Sequence, residues 1–206
     1  MNNALVNYAP PSETTRTQRF TDVQLANLES TVHVDSGFSK DRDEIGTPIW
    51  RSPEAQLGLQ WGPPTDIWSF GTTVIITYAR AYILIDFNNH GCHTGFLHDL
   101  GRQFLHIQTK CPHGDNEYEL KILAKYRIYF GPFPPSYGEL ADKETSGLLS
   151  QIMKDVPPEK LRPFSLASQN EISKHDNEFI LKILKLDPRD RPTAKDLLED
   201  ELFDRI

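Results

Sequence analysis

The chain has 206 residues, the length of one ordinary domain at roughly 100–200 residues each. Charged residues make up 25% and hydrophobic residues 38%, a globular composition able to close a core without disulfide or metal staples. A net charge of −7, from 22 Lys and Arg against 29 Asp and Glu, argues against a generic nucleic-acid or membrane-surface binder, which would be basic. With only Cys92 and Cys111 no disulfide scaffold is implied, and a reducing, intracellular compartment, cytoplasm or nucleus, is expected. The first residues lack the basic and apolar stretches of a signal peptide. The longest apolar run, Val74 to Ile85, is interrupted by Arg80 and too short to span a bilayer.

In chain order, Ala4-Leu5-Val6-Asn7-Tyr8 reads as a short strand and Pro10-Pro11-Ser12-Glu13 as a turn. Asp22 to Ala26 alternates and reads as a second strand. From Asn27 to Arg51 no period holds, and Ser30, Thr31, Ser36, Gly37 and Ser39 mark a long loop, of the kind that in a compact domain is functional or disordered. From Asp66 to Tyr78 the run is apolar on nearly every face, with Ile67, Trp68, Phe70, Val74, Ile75 and Ile76, which predicts a helix buried all round. A further helix is read over Glu117–Tyr129. Leu148, Leu149, Ile152 and Met153 recur at helical spacing, as do Phe179, Ile180, Ile183 and Leu184. Pro188 and Pro192 break the chain, and Thr193 is placed as an N-cap with Asp196 completing a capping box. No internal repeat is visible, and the reading is a mainly α domain or part of a larger α+β one.

Three segments carry a resemblance. Gly46-Thr47-Pro48-Ile49-Trp50-Arg51-Ser52-Pro53-Glu54 resembles the end of a protein-kinase activation segment. Asp66-Ile67-Trp68-Ser69-Phe70-Gly71 resembles the start of the central helix of the kinase large lobe, and Leu186-Asp187-Pro188-Arg189-Asp190-Arg191-Pro192-Thr193-Ala194 the segment near that lobe's end. On this resemblance to the eukaryotic protein kinase family, Glu54 and Arg191 fill slots that form a buried ion pair, for which the planar Arg fork is suited. Asp66 resembles the carboxylate that holds the catalytic-loop amides; the plainer readings are a solvated Glu54 and a simple N-cap at Asp66. Thr47 resembles the hydroxyl that bridges the catalytic aspartate and lysine in serine/threonine kinases. Thr47, Trp50 and Arg51 take substrate-binding slots, and Arg51, like Phe130-Gly131-Pro132-Phe133-Pro134, resembles the group containing cyclin-dependent and SR-protein kinases. The competing reading of Thr47 and Arg51 is an ordinary loop hydroxyl and an exposed charge.

The same resemblance shows what does not match. Kinase chemistry needs a Gly-rich loop and strand lysine over the phosphates, a catalytic-loop aspartate and asparagine, and a magnesium-binding Asp-Phe-Gly. No Gly-x-Gly-x-x-Gly, Val-Ala-Ile-Lys or His-Arg-Asp occurs in these residues. Asn2-Asn3-Ala4-Leu5-Val6-Asn7 is similar to the tail of a catalytic loop, with Asn3 in a magnesium-ligand slot and Leu5 on the adenine-pocket floor, against the alternative of a frayed tail. Asn27-Leu28-Glu29 stands where the family has Asp-Phe-Gly, so Asn27 is a degenerate metal and cofactor position. A neutral amide is a poorer Mg²⁺ ligand than a carboxylate, and Glu29 removes the freedom of a glycine hinge.

The stretch 83–115 departs from the family and holds both cysteines and His90, His93, His98, His106 and His113. It is read as an atypical insertion: a variable surface loop, sequence foreign to the fold, or a zinc site around Cys111-Pro112-His113, whose spacing fits no standard finger. The expectation for residues 1–206 is therefore a mainly α, kinase-like large (C-terminal) lobe with short β-strands near the N-terminus and the small lobe absent. The family implies ATP and Mg²⁺ as cofactors, a protein substrate or partner, and phosphorylation of serine or threonine. This truncated chain is expected to be inactive alone, and the alternative is a pseudokinase-like interaction module.

Overall fold

The computed structural model describes residues 4–8, 20–89 and 116–203. Strands β1 (Ala4–Tyr8) and β2 (Phe20–Leu25) form an antiparallel hairpin that pairs Ala4 with Leu25 and Val6 with Val23. Directly opposed residues lie on one face of a sheet, so Val6, Val23 and Leu25 share one face. Val6, Val23 and Leu25 are exposed. A 3-10 turn at Leu28–Ser30 and one helical turn, α1 (Gly37–Lys40), interrupt the segment expected to be loop. A 3-10 turn at Pro48–Trp50 then leads into α2 (Pro53–Gln56), a helical turn buried at every residue.

Helix α3 (Pro64–Asn89) is the axis of the fold. It runs past Tyr78 into the first residues of 83–115; His90 to Asp115, with both cysteines, lies outside the described residues. Burial on all sides does not hold for α3. Ile67, Trp68, Gly71 and Ile75 are buried, whereas Asp66, Phe70 and Thr77 are exposed. The buried residues of α3 meet α4 (Asn116–Phe130) at Trp68 and the end of α7 (Lys174–Ile183) at Gly71, while α5 (Tyr137–Leu140) and α6 (Lys143–Asp155) follow α4 in the chain. Composition alone cannot say which face the neighbours cover.

The core follows from α4, whose Tyr118, Ile122, Leu123, Tyr126 and Tyr129 recur at helical spacing and are buried. Trp68 of α3 meets Tyr126 edge-on at 5.0 Å and Phe130 at 5.3 Å, the arrangement favoured by ring quadrupoles. Gly71 lets α3 and α7 approach closely, since a Cβ there would stand 2.8 Å from Leu184 Cδ2. A smaller cluster joins Ile67, Phe179 and Ile183 to Leu197 of α8 (Ala194–Leu198). The helix starts are set locally: Asp142 accepts from the Thr145 amide, Ser173 from Asp176, and Thr193 with Asp196 makes a full capping box. The fold is mainly helical, with one two-stranded sheet among the described residues.

Candidate functional site

The segment 44–54 is wound around one side chain. The Arg51 guanidinium is buried, donating from Nε to the Ile45 carbonyl (2.9 Å) and from Nη2 to that of Gly46 (3.1 Å). Glu44 and Glu119 carboxylates each stand 3.7 Å from it. Gly46 takes φ 67°, a left-handed conformation open to glycine, and it turns the chain back on Arg51. The Thr47 carbonyl accepts from the Trp50 and Arg51 amides at 2.9 and 3.0 Å. That closes the 3-10 turn begun by Pro48, and the exposed Thr47 side chain caps nothing. Thr47, Trp50 and Arg51 thus share one tight turn.

Four buried or half-buried hydroxyls fasten this turn and the residues after it to the helices. Tyr126 donates to the Arg51 carbonyl at 2.6 Å and Ser69 to that of Trp50 at 3.0 Å. Ser52 and Thr65 share a hydrogen bond of 3.0 Å, and Thr65 donates to Glu54 Oε1 at 3.1 Å. Burial pushes the Tyr126 hydroxyl well above the usual phenol range, so it remains a donor at any physiological pH. None of these bonds was legible in the sequence, because each joins residues whose spacing carries no period.

Glu54 and Arg191, 137 positions apart, meet in a two-pronged pair, Nη1 to Oε1 and Nη2 to Oε2, both 2.7 Å. Arg191 also donates to the carbonyls of Lys185 (2.8 Å), Pro64 (2.9 Å) and Leu186 (3.0 Å). All five of its N–H groups are used, and the guanidinium lies over the Trp68 ring at 5.0 Å. Alongside, buried Asp187 accepts from the Arg189 side chain and from Ser136, contacts that pull its pKa down to about 2. Arg189 reaches on to Glu139 at 2.8 Å. The Ser136 and Glu139 contacts were missed; the Pro-Pro-Ser after α4 was their only local signal.

The nucleotide-side candidates are differently placed. Leu5 is exposed opposite Gln24, and Asn27 follows the end of β2, so one end of the hairpin carries both. Asn27 sits at φ 60°, ψ 51° with no capping bond from its side chain, a left-handed conformation that asparagine tolerates better than most residues. Asn3 lies outside the described residues. Asp66 is exposed, partial desolvation raises its pKa, and no amide among the described residues binds its carboxylate. Mg²⁺ favours hard anionic oxygens, whereas the slot after β2 offers the neutral amide of Asn27. Among the described candidates, Asn27 therefore fits Mg²⁺ less well than a carboxylate in the same position would.

The family model of the protein kinase domain matches residues 17–203. This chain belongs to the protein kinase family. Among kinases, dual specificity protein kinase CLK4 of Homo sapiens is 25% identical over 194 residues, 93% of this chain and 35% of that protein. A serine/threonine protein kinase of Aspergillus fumigatus is 26% identical over 161 residues, 76% of this chain and 35% of the relative. Serine/threonine-protein kinase PAK mbt of Drosophila melanogaster is 40% identical over 53 residues, 26% of this chain and 8% of that kinase. This kinase chain therefore spans 35% or less of the length of these curated relatives. A crystal structure of the PF14_0431 kinase domain aligns with a TM-score of 0.38 at 20% identity, covering 88% of this chain and 47% of its own. No helix among the described residues is long and apolar enough to cross a membrane.

Proposed function

We propose that this kinase chain serves as a protein-recognition module of the pseudokinase kind, and that it does not transfer phosphate by itself. Its parent activity is ATP- and Mg²⁺-dependent phosphorylation of serine or threonine on protein. The observation that carries the reading is the contrast between its two sides. The turn with Thr47, Trp50 and Arg51 is anchored by hydrogen bonds to two helices, α3 and α4, while the metal slot holds the uncharged, exposed Asn27. Phosphoryl transfer depends on positioned cations at the phosphates, so a slot without a carboxylate supports recognition over catalysis. Protein partners, and an intracellular setting, follow from the same reading.

A second reading, an active serine/threonine kinase, is favoured by the same complete substrate-side turn. Thermal unfolding of the full chain with millimolar Mg·ATP separates the two, because a ligand of the folded state raises stability by RT ln(1 + [L]/Kd). No shift, together with no phosphate incorporated into a serine/threonine peptide mixture, is the expected result. Phosphotransfer with Asn27 in place would overturn the proposal.

A further inference from the structure

Buried polar groups in folded proteins find hydrogen-bond partners, so one that lacks them needs a cause. Arg127, in the last turn of α4, is 7% exposed, and its Nε and Nη1 are enclosed without an acceptor. No carboxylate or carbonyl among the described residues bonds its guanidinium. The other arginines buried among these residues, Arg51 and Arg191, are each ringed by acceptors. Arginine cannot shed its proton to ease burial, and a buried charge without a counter-charge is costly. The negative end of α4 offsets part of that cost, but none of its carbonyls takes an N–H from Nε or Nη1.

The place of Arg127 on its helix shows what lies opposite. Glu119, Leu123 and Arg127 follow at four-residue spacing along one side of α4. Glu119 stands 3.7 Å from Arg51 and Leu123 is buried, so this side faces the segment that leads into α2. Helix α2 packs against α4, and it brings a second unsatisfied group. Gln56 is 6% exposed, and its Oε1 and Nε2 are both enclosed and unbonded. Two packed elements thus each contribute a buried polar side chain without a partner.

The chemistry of these donors selects the ligand. A guanidinium offers forks, Nη2 with Nε or Nη2 with Nη1, that match two oxygens held on one atom. Nη2 is the nitrogen not enclosed, so an oxyanion arriving there can complete either fork. One positive charge and a neutral amide balance a single negative charge, and a chain of net charge −7 disfavours a second. A carboxylate meets these conditions better than a phosphate dianion. We propose that Arg127 and Gln56 form a carboxylate-binding site in the α2–α4 seam, filled by a small organic acid or by an acidic side chain of a partner. It shares no residue with the Thr47–Arg51 turn or the Asn27 slot, so its failure would leave the recognition reading untouched.

The test uses the full chain at pH 7, with sodium acetate and sodium chloride compared at equal ionic strength. Acetate is expected to raise the urea midpoint and to shift the Nε–H resonance of Arg127 in a chain with isotope-labelled arginine, and chloride to do neither. A capped, otherwise neutral peptide with one glutamate is the second probe. Action at about tenfold lower concentration than acetate assigns the carboxylate to a protein partner, and equal or weaker action assigns it to a small acid. Arg127→Met should abolish both responses while leaving the midpoint in chloride as high or higher, because an unpartnered buried charge is removed. Gln56→Leu should keep the circular dichroism spectrum and raise the acetate concentration required by about threefold or more. No response to acetate or to the glutamate peptide would overturn the proposal, as would a response that survives Arg127→Met. A chloride midpoint lowered by Arg127→Met would also overturn it, making Arg127 a residue that holds the fold.

Discussion

Replacing Arg191 by methionine tests how the segment from Thr47 to Glu54 is held. The substitution preserves length and apolar bulk but removes every donor. Glu54, 1% exposed, would then be a buried carboxylate with the Thr65 hydroxyl as its remaining hydrogen-bond partner among the described residues. The carbonyls of Lys185, Pro64 and Leu186 would lose their donor as well. Breaking one side of a buried pair costs about 3–5 kcal/mol. For a domain of this size that corresponds to a melting-temperature drop of between about 6 and 20 °C. Urea unfolding followed by tryptophan fluorescence is the direct assay, since Trp68 lies against Arg191 at 5.0 Å. Glu54→Leu combined with Arg191→Met should be less destabilised than the sum of the single variants, because the stranded charge is gone. A loss below about 1 kcal/mol in Arg191→Met, the range of a solvated pair, would refute the reasoning.

Asp187 gives a pH-dependent counterpart. Its folded pKa of about 2 lies below the ordinary 3.8, so the carboxylate stabilises the fold above about pH 4 and that contribution fades as pH falls toward 2, amounting to roughly 2 kcal/mol. Asp187→Asn should therefore trail the unaltered chain by about that amount at pH 7 and by less at pH 3 in urea unfolding; a gap that stays constant would contradict the assignment to Arg189 and Ser136. Gly71→Ala places a methyl 2.8 Å from Leu184 Cδ2 and should force α3 and α7 apart. The expected cost is about 1–3 kcal/mol, read as a lower urea midpoint, and an unchanged midpoint would show that Leu184 yields freely.

What could be read in advance was whatever depends on near neighbours. β1 has the bounds read for it, β2 runs Phe20–Leu25 where alternation gave Asp22–Ala26, and Thr193 with Asp196 caps α8 as a four-residue pattern should. The helical repeats at Leu148–Met153 and Phe179–Leu184 fall in α6 and α7, though α7 ends at Ile183. Of the candidate site, the residues were visible as motifs, but their bonds were not. Arg51 could have been an exposed charge; that it turns inward to the Ile45 and Gly46 carbonyls depends on the left-handed Gly46. Likewise an apolar run such as Ile67 to Ile76 predicts burial without naming the side left open. Phe70 is 42% exposed, a fact of tertiary arrangement. Asn27 was marked as a degenerate slot by identity alone, and its left-handed backbone is a property that only the coordinates supply.

The two sides of this kinase chain differ in how much of the fold each one shares. The turn at Thr47–Arg51 is tied to α3 by Ser69 and to α4 by Tyr126, and Glu54 just after it is paired with Arg191, 137 positions on, so it cannot loosen without disturbing the Trp68 core. The β1–β2 hairpin, by contrast, leaves Leu5, Val23 and Leu25 exposed, and an isolated two-stranded hairpin is marginal in water. Local opening follows such differences in burial: the hairpin side can fluctuate at low cost while the substrate-side turn opens only with the core. On the proposed reading, recognition draws on the part of the lobe most shared with the core.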